Sequence, residues 1–153
     1  MVKKKVGIAG YGIIGKRRRQ YIDNNPHLQT IAVCDQNLEN DTVLEDGLKC
    51  FSNYQHLLEE PLDVLFISMP NYMAPEVTIA GLERGMHVFC EKPPGRNVAD
   101  VENVFQVKQK YPKLHLKYGF NHRYHDSVRD ALKIIKSEKY GKIIYLRGIY
   151  GKS

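Results

Sequence analysis

Short apolar runs alternate along this chain with longer stretches whose apolar positions recur at helical spacing, the pattern of a parallel sheet covered on both faces. Residues 6–9 predict the first strand, and a helix from Ile13 ends near Asn24-Asn25-Pro26, where proline cannot continue it. Residues 31–35 predict the second strand. Between 36 and 58 the pattern predicts short helices over 41–46 and 54–58, with a brief strand at 49–51. Val64-Leu65-Phe66-Ile67 is apolar at every position and predicts a central strand. A helix over 75–84, stopped by Gly85, and a strand over 86–90 follow. Asn97 is placed to cap a helix whose Val101, Val104, Phe105 and Lys108 share a face and which Tyr111-Pro112 ends. Leu114, Leu116, Tyr118 and Phe120 alternate as a strand does. Asp126 or Ser127 then caps a helix carrying Val128, Ala131, Leu132 and Ile135, with Gly141 at its exit. The fold class expected is α/β, with a doubly wound parallel sheet.

The last stretch, residues 142–150, predicts a strand with two apolar faces, since Ile143, Tyr145 and Ile149 alternate with Ile144, Leu146 and Tyr150. Such a strand needs neighbours. It is expected to open a second, sheet-based α/β domain that the chain truncates, and the exposed surface is expected to drive self-association into a homo-oligomer. The alternative is pairing at the edge of the first sheet.

Composition narrows the class without naming a partner. With 153 residues, 42% of them hydrophobic, the chain can bury one ordinary core. The net charge of +6 is scattered except at residues 3–5 and 16–19, so charge alone indicates no specific nucleic acid. The cluster Lys16-Arg17-Arg18-Arg19 falls on the first turns of a helix and reads as a solvated face, with service to a nearby phosphate as the alternative. Cys34, Cys50 and Cys90 are odd in number and read as reduced, buried thiols, not a disulfide framework. No run of about twenty apolar residues and no signal-like core occurs, which points to a cytoplasmic protein without a membrane partner.

Chemistry enters at the end of the first strand. Gly10-Tyr11-Gly12-Ile13-Ile14-Gly15 opens the first helix, and Asp35 stands twenty residues after Gly15. Glycines there allow a sharp turn, backbone approach to a diphosphate and close helix packing, while the helix N-terminus presents free N–H groups. An acid at that distance accepts hydrogen bonds from a ribose diol and repels a 2′-phosphate, which favours NAD over NADP. Ligands in such sheets lie beyond the carboxyl ends of the strands. The cofactor-binding candidates are therefore Gly10, Tyr11, Gly12, Ile13, Ile14, Gly15, Asp35, Gln36, Ser68, Met69, Pro70, Asn71, Glu91, Lys92 and Asn121.

Lys92, leaving a strand between Glu91 and Pro93, is the catalytic candidate. A lysine there can hydrogen-bond a substrate hydroxyl and stabilise a developing alkoxide. Its neighbour Pro93 admits a cis peptide. Lys92, His122 and Arg123 are the substrate-binding candidates; local turn stabilisation is the other reading of Asn121 and Arg123. His122 and His125 lack a third ligand at diagnostic spacing, so no metal site is expected.

The glycine segment, Asp35 and Glu91-Lys92-Pro93 together resemble the Gfo/Idh/MocA oxidoreductases, the glucose-fructose oxidoreductase and inositol dehydrogenase family, over nearly all 153 residues. The most specific stretch is residues 80–93; Gly119-Phe120-Asn121-His122-Arg123-Tyr124-His125 resembles members associated with sugars and surface polysaccharides. Two departures stand out: Met69 precedes Pro70-Asn71 where the family has threonine, and Ala74 replaces its histidine. The resemblance implies a Rossmann domain over 1–122 and, over 123–153, the helix and first strand of an incomplete substrate domain. It further implies hydride transfer between NAD and a sugar, sugar-nucleotide or cyclitol hydroxyl, with the isolated chain inactive because the family's catalytic histidine lies in the second domain. The alternatives are a non-catalytic NAD sensor or interaction module and, from charge alone, a nucleic-acid binder.

Overall fold

β-Branched and apolar residues set the central strands, and Gly10, Asp35, Ser68 and Glu91 follow their ends. The computed structural model describes residues 2–149 and 151. In chain order the first unit contains β1 (Lys4–Ala9), α1 (Ile13–Asp23), β2 (Leu28–Cys34), β3 (Thr42–Val43), β4 (Lys49–Phe51), α2 (Tyr54–Leu57), β5 (Val64–Ile67), α3 (Ala74–Glu83), β6 (His87–Cys90), α4 (Val98–Lys110) and β7 (Leu116–Tyr118). Among the described residues these strands form one seven-stranded sheet in the order β3-β4-β2-β1-β5-β6-β7. All its pairings are parallel except β3 with β4. The reversal of strand order beside β1 makes the sheet doubly wound and opens a crevice between the β1 and β5 exits.

Two apolar layers hold it. Leu65, Ile67, Val88 and Cys90 pack with Leu57, Val77 and Leu82, joining the sheet to α2 and α3. On the opposite face Val6, Ile8 and Val33 pack with Ile22 of α1. Helix α3 stops as the sequence predicts: Gly85 adopts φ +80°, which brings the Met86 N–H to the Gly81 carbonyl at 3.0 Å. Asn97 caps α4, its side-chain oxygen accepting from the Asp100 N–H at 3.0 Å. Asn97→Ala is expected to lower stability by about 1 kcal/mol, read as a lower urea midpoint with unchanged slope. An unchanged midpoint would show that the cap contributes nothing.

Several predicted elements need correction. Residues 41–46 form no helix. Asp41 accepts from the Ser52 N–H (2.8 Å) and hydroxyl (3.0 Å) instead of capping a first turn, and Thr42 and Val43, β-branched, pair antiparallel with β4. Gly47, at φ +80°, closes that hairpin. On α4, Phe105 is 60% exposed while Val104 is buried and Val107 joins the core; at 100° per residue, position 105 falls just past the buried stripe.

The chain divides after Gly119, and a second unit runs from Phe120 onward. It holds a 3-10 turn (Asn121–Tyr124) and α5 (Asp126–Lys136), with Val128, Leu132 and Ile135 along one stripe. His125, not Asp126 or Ser127, occupies the N-cap position, and no side chain caps this helix. The strand expected over 142–150 is not formed among the described residues, and Tyr150 lies outside them. Ile144 is 98% exposed: an extended segment without a neighbouring ladder has nothing to bond its backbone, whatever its side chains. Nor does it take the alternative place at the sheet edge, since the edges are β3 and β7.

Candidate functional site

Strand β1 ends at a backbone position that only glycine suits. Gly10 adopts φ +91°, and a Cβ there would lie 2.5 Å from the Ser68 carbonyl oxygen. Its N–H donates to the Cys34 carbonyl (2.9 Å), and the Ser68 N–H donates to the Ala9 carbonyl (2.7 Å), so the exits of β1, β2 and β5 are tied together. Five residues on, a Cβ on Gly15 would lie 2.1 Å from the Gly10 carbonyl oxygen; α1 therefore starts directly against the strand it leaves. Gly12 is different, with no atom within 4 Å of its would-be Cβ. Its side of the loop is open, and the first-turn N–H groups of α1 have neither an intrahelical acceptor nor a side-chain cap.

Asp35 follows β2 on the same rim. Its Oδ1 accepts from the Asn37 N–H (3.0 Å) and side-chain amide (2.7 Å), while Oδ2 has no partner among the described residues. Between this carboxylate and the open glycine lies a cavity of about 490 Å3 whose lining includes the polar Lys16, Asp35 and Asn37 and the apolar Leu38, Leu44 and Cys50, with Tyr11 and Gly12. The β3–β4 hairpin, unforeseen from sequence, supplies Thr42 and Leu44 to this wall. A nucleoside needs an apolar slot for its base, an acceptor for its diol and free N–H donors for its phosphates, and the residues present fit that requirement.

The basic cluster is not simply a solvated face. Arg19 donates to the Tyr11 hydroxyl and to Asp23, both at 3.1 Å, and to Asp46 in the hairpin turn, so it fastens the cavity wall to α1. That hydrogen bond, with one from the Leu48 N–H, holds the Asp46 carboxyl below its usual range. Lys16 lines the cavity, its ammonium 5.9 Å from the centre of the Tyr11 ring. Arg18 reaches the other way, to Glu91 at the exit of β6. A readable signal existed: Arg18 and Arg19 stand three and four residues after the buried Gly15, which returns both to its side of the helix.

The remaining candidates are distributed as follows. Gln36 is exposed and outside the cavity lining, and Ile13 and Ile14 are exposed at the helix start. The Pro70 carbonyl accepts from the Met73 and Ala74 N–H groups (3.0 and 3.1 Å), turning Ser68-Met69-Pro70-Asn71 directly into α3, while Met69 packs on the core. The Glu91 N–H donates to the Ile67 carbonyl (2.8 Å). Lys92 is exposed, makes no ion pair or side-chain hydrogen bond among the described residues, and precedes Pro93 through a cis peptide. Asn121, His122 and Arg123 lie on the 3-10 turn of the second unit, where the His122 and His125 rings are 4.8 Å apart.

The three cysteines are free and buried, and burial pushes the Cys34 and Cys90 thiols up to about 11, which keeps them protonated and unreactive near neutral pH. Among the described residues no helix is long and apolar enough to cross a membrane.

Comparison with known proteins agrees with this geometry. The family described as "Oxidoreductase family, NAD-binding Rossmann fold" (GFO_IDH_MocA) matches residues 4–120. Inositol 2-dehydrogenase of Salmonella typhimurium is 29% identical over 150 residues, which cover 94% of this chain and 45% of that protein. The crystal structure of myo-inositol 2-dehydrogenase from Lactobacillus plantarum matches with TM-score 0.80 and 30% identity over 94% of this chain and 44% of that one. Scyllo-inositol dehydrogenase from Lactobacillus casei, solved with bound NAD(H) and scyllo-inositol, matches with TM-score 0.77 and 26% identity, over 91% of this chain and 42% of the other. This chain thus spans about half the length of the relatives it matches. A glycine turn that opens α1, an acid closing β2 and a match across β1 to β7 lead to one assignment: the chain belongs to the Gfo/Idh/MocA oxidoreductase family and carries its NAD-binding Rossmann fold.

Proposed function

We propose that this chain is the NAD-holding part of an oxidoreductase acting on a hydroxyl of a sugar, sugar nucleotide or cyclitol. The observation that carries the reading is the cavity between the open face of Gly12 and the unpartnered Oδ2 of Asp35. Asp35 accepts hydrogen bonds from the adenosine ribose, which selects NAD over NADP, and Leu38 and Leu44 flank the base. The first-turn N–H groups of α1 hold the diphosphate. Bound there, the nicotinamide supplies the site's capacity to accept or donate a hydride.

The chain's own residues do the rest. Lys92, without an ion pair or side-chain hydrogen bond among the described residues, orients the substrate hydroxyl by a hydrogen bond and stabilises negative charge on its oxygen. Resemblance in sequence alone assigns Asn121 to the cofactor and His122 and Arg123 to substrate. An uncommitted lysine at a strand exit favours this reading over a cofactor sensor, which needs no such group. The 153 residues are expected to bind the cofactor by themselves, since the glycine turn, Asp35 and the cavity between them all lie within residues 1–119.

Titration with NADH, followed by nicotinamide fluorescence, is the test. Saturable binding is expected, with ADP-ribose as a competitor, and NADH but not ADP-ribose is expected to shield Lys92 from an amine-reactive reagent, read by mass spectrometry. Absence of saturable binding contradicts the reading. Equal shielding by both ligands would remove Lys92 from the nicotinamide end.

A further inference from the structure

We propose that Arg18 is a positioning residue for the nicotinamide end of the site, setting the Glu91-Lys92-Pro93 segment from the helix that begins at the glycine loop. This rests on the reading of Lys92 given above. The guanidinium directs two donors at one carboxylate oxygen of Glu91, Nε at 2.7 Å and one Nη as a second short contact. Its plane lies over Phe89, 5.1 Å from the ring centre, and Phe89 stacks on Phe66 at 4.9 Å. The other oxygen of Glu91 fills the space a side chain on residue 119 would take: a Cβ on Gly119 would lie 2.6 Å from Oε2.

Arg18 from α1 and Gly119 at the exit of β7 therefore meet the Glu91 carboxylate at its two oxygens, while Phe89 of β6 supports the guanidinium. With the Arg18 side chain 31% and the Glu91 side chain 16% exposed, the pair is sheltered enough that its geometry is fixed by packing as well as charge. Gripped at Oε1 and walled in by Gly119, Glu91 has no freedom to swing, and its backbone N–H is held by Ile67. The next residue, Lys92, leaves this anchored point directly. Nothing else among the described residues fixes the Lys92 side chain, so its placement depends on the anchor behind it. Arg18 links the two ends of the site, since the helix that carries it also presents its first turn to the diphosphate.

The experiment compares Arg18→Met, Arg18→Lys, Glu91→Ala and the double variant Arg18→Met/Glu91→Ala in the 153-residue chain. NADH affinity is expected to fall about 10-fold in Arg18→Met, the weight of one charge-assisted hydrogen bond, while ADP-ribose affinity changes less than about 2-fold. Shielding of Lys92 by NADH should fall with it. Arg18→Lys, which keeps the charge but not the fork, is expected to show a smaller loss in the same direction. The double variant should lose no more than either single one, as for two ends of one interaction.

Parallel loss of ADP-ribose and NADH binding, in Arg18→Met and Arg18→Lys alike, overturns the inference, because it makes Arg18 a scaffold for the whole loop. So does unchanged NADH binding, or additive losses in the double variant. An unaltered chain that fails to bind NADH sinks the functional reading beneath it as well.

Discussion

Gly15→Ala is expected to lose NADH binding and about 3 kcal/mol of stability, the upper range for forcing extra volume into a packed site. The methyl would fall 2.1 Å from the Gly10 carbonyl oxygen, a backbone atom that cannot retreat without moving the strand exit. Gly10 cannot move, because its own φ of +91° and its contact with Ser68 fix it. Gly12→Ala is the informative contrast: no atom lies near the new methyl, so stability should change by no more than about 1 kcal/mol. NADH binding should nonetheless weaken sharply, since the methyl stands where the diphosphate must approach. Urea denaturation and NADH titration on the two variants separate the roles. A Gly12→Ala chain that binds NADH normally would show that the diphosphate does not pass that face.

Asp35→Ser is expected to weaken NADH binding about 100-fold, the combined loss of two hydrogen bonds to a charged acceptor. NADPH binding should strengthen, because removing the carboxylate removes its repulsion of the 2′-phosphate while Lys16 remains on the cavity wall. Arg19 adds little to this gain, committed as it is to Tyr11, Asp23 and Asp46. Paired titrations with the two reduced cofactors give the ratio directly. If Asp35→Ser leaves that ratio unchanged, the carboxylate does not meet the ribose.

Elements whose sequence states both their period and their ends were legible. The central strand 64–67, the Asn97 cap and the Gly85 stop each carry their own physical reason, and the structure has all three. Of the hairpin at 42–51, the arm at 49–51 was legible and the arm at 42–43 was not, because Asp41 can cap a helix or accept from a distant Ser52, and only the tertiary contact decides. The segment 142–149 shows the limit of pattern: alternation specifies what a strand would bury, but a ladder needs a partner.

The site divides the same way. The turn at Gly10 and the start of α1 could be read because the chain must bend sharply there, whereas the partners of Arg18 and Arg19 lie 73 and 27 residues away in sequence. A charge run on a helix looks solvated until those partners are in place. Leu38 and Cys50, which line the cavity, were hidden for a similar reason, since in sequence an apolar residue lining a cavity looks like one lining a core.

A crystal structure of this chain grown with NAD decides whether Gly12 and Asp35 face the cofactor. Adenosine is expected in the cavity beside Leu44, both ribose hydroxyls within hydrogen-bonding distance of Asp35, and the diphosphate against Gly12 at the start of α1. Cofactor bound elsewhere on the molecule, or an adenosine whose ribose faces away from Asp35, would contradict that placement.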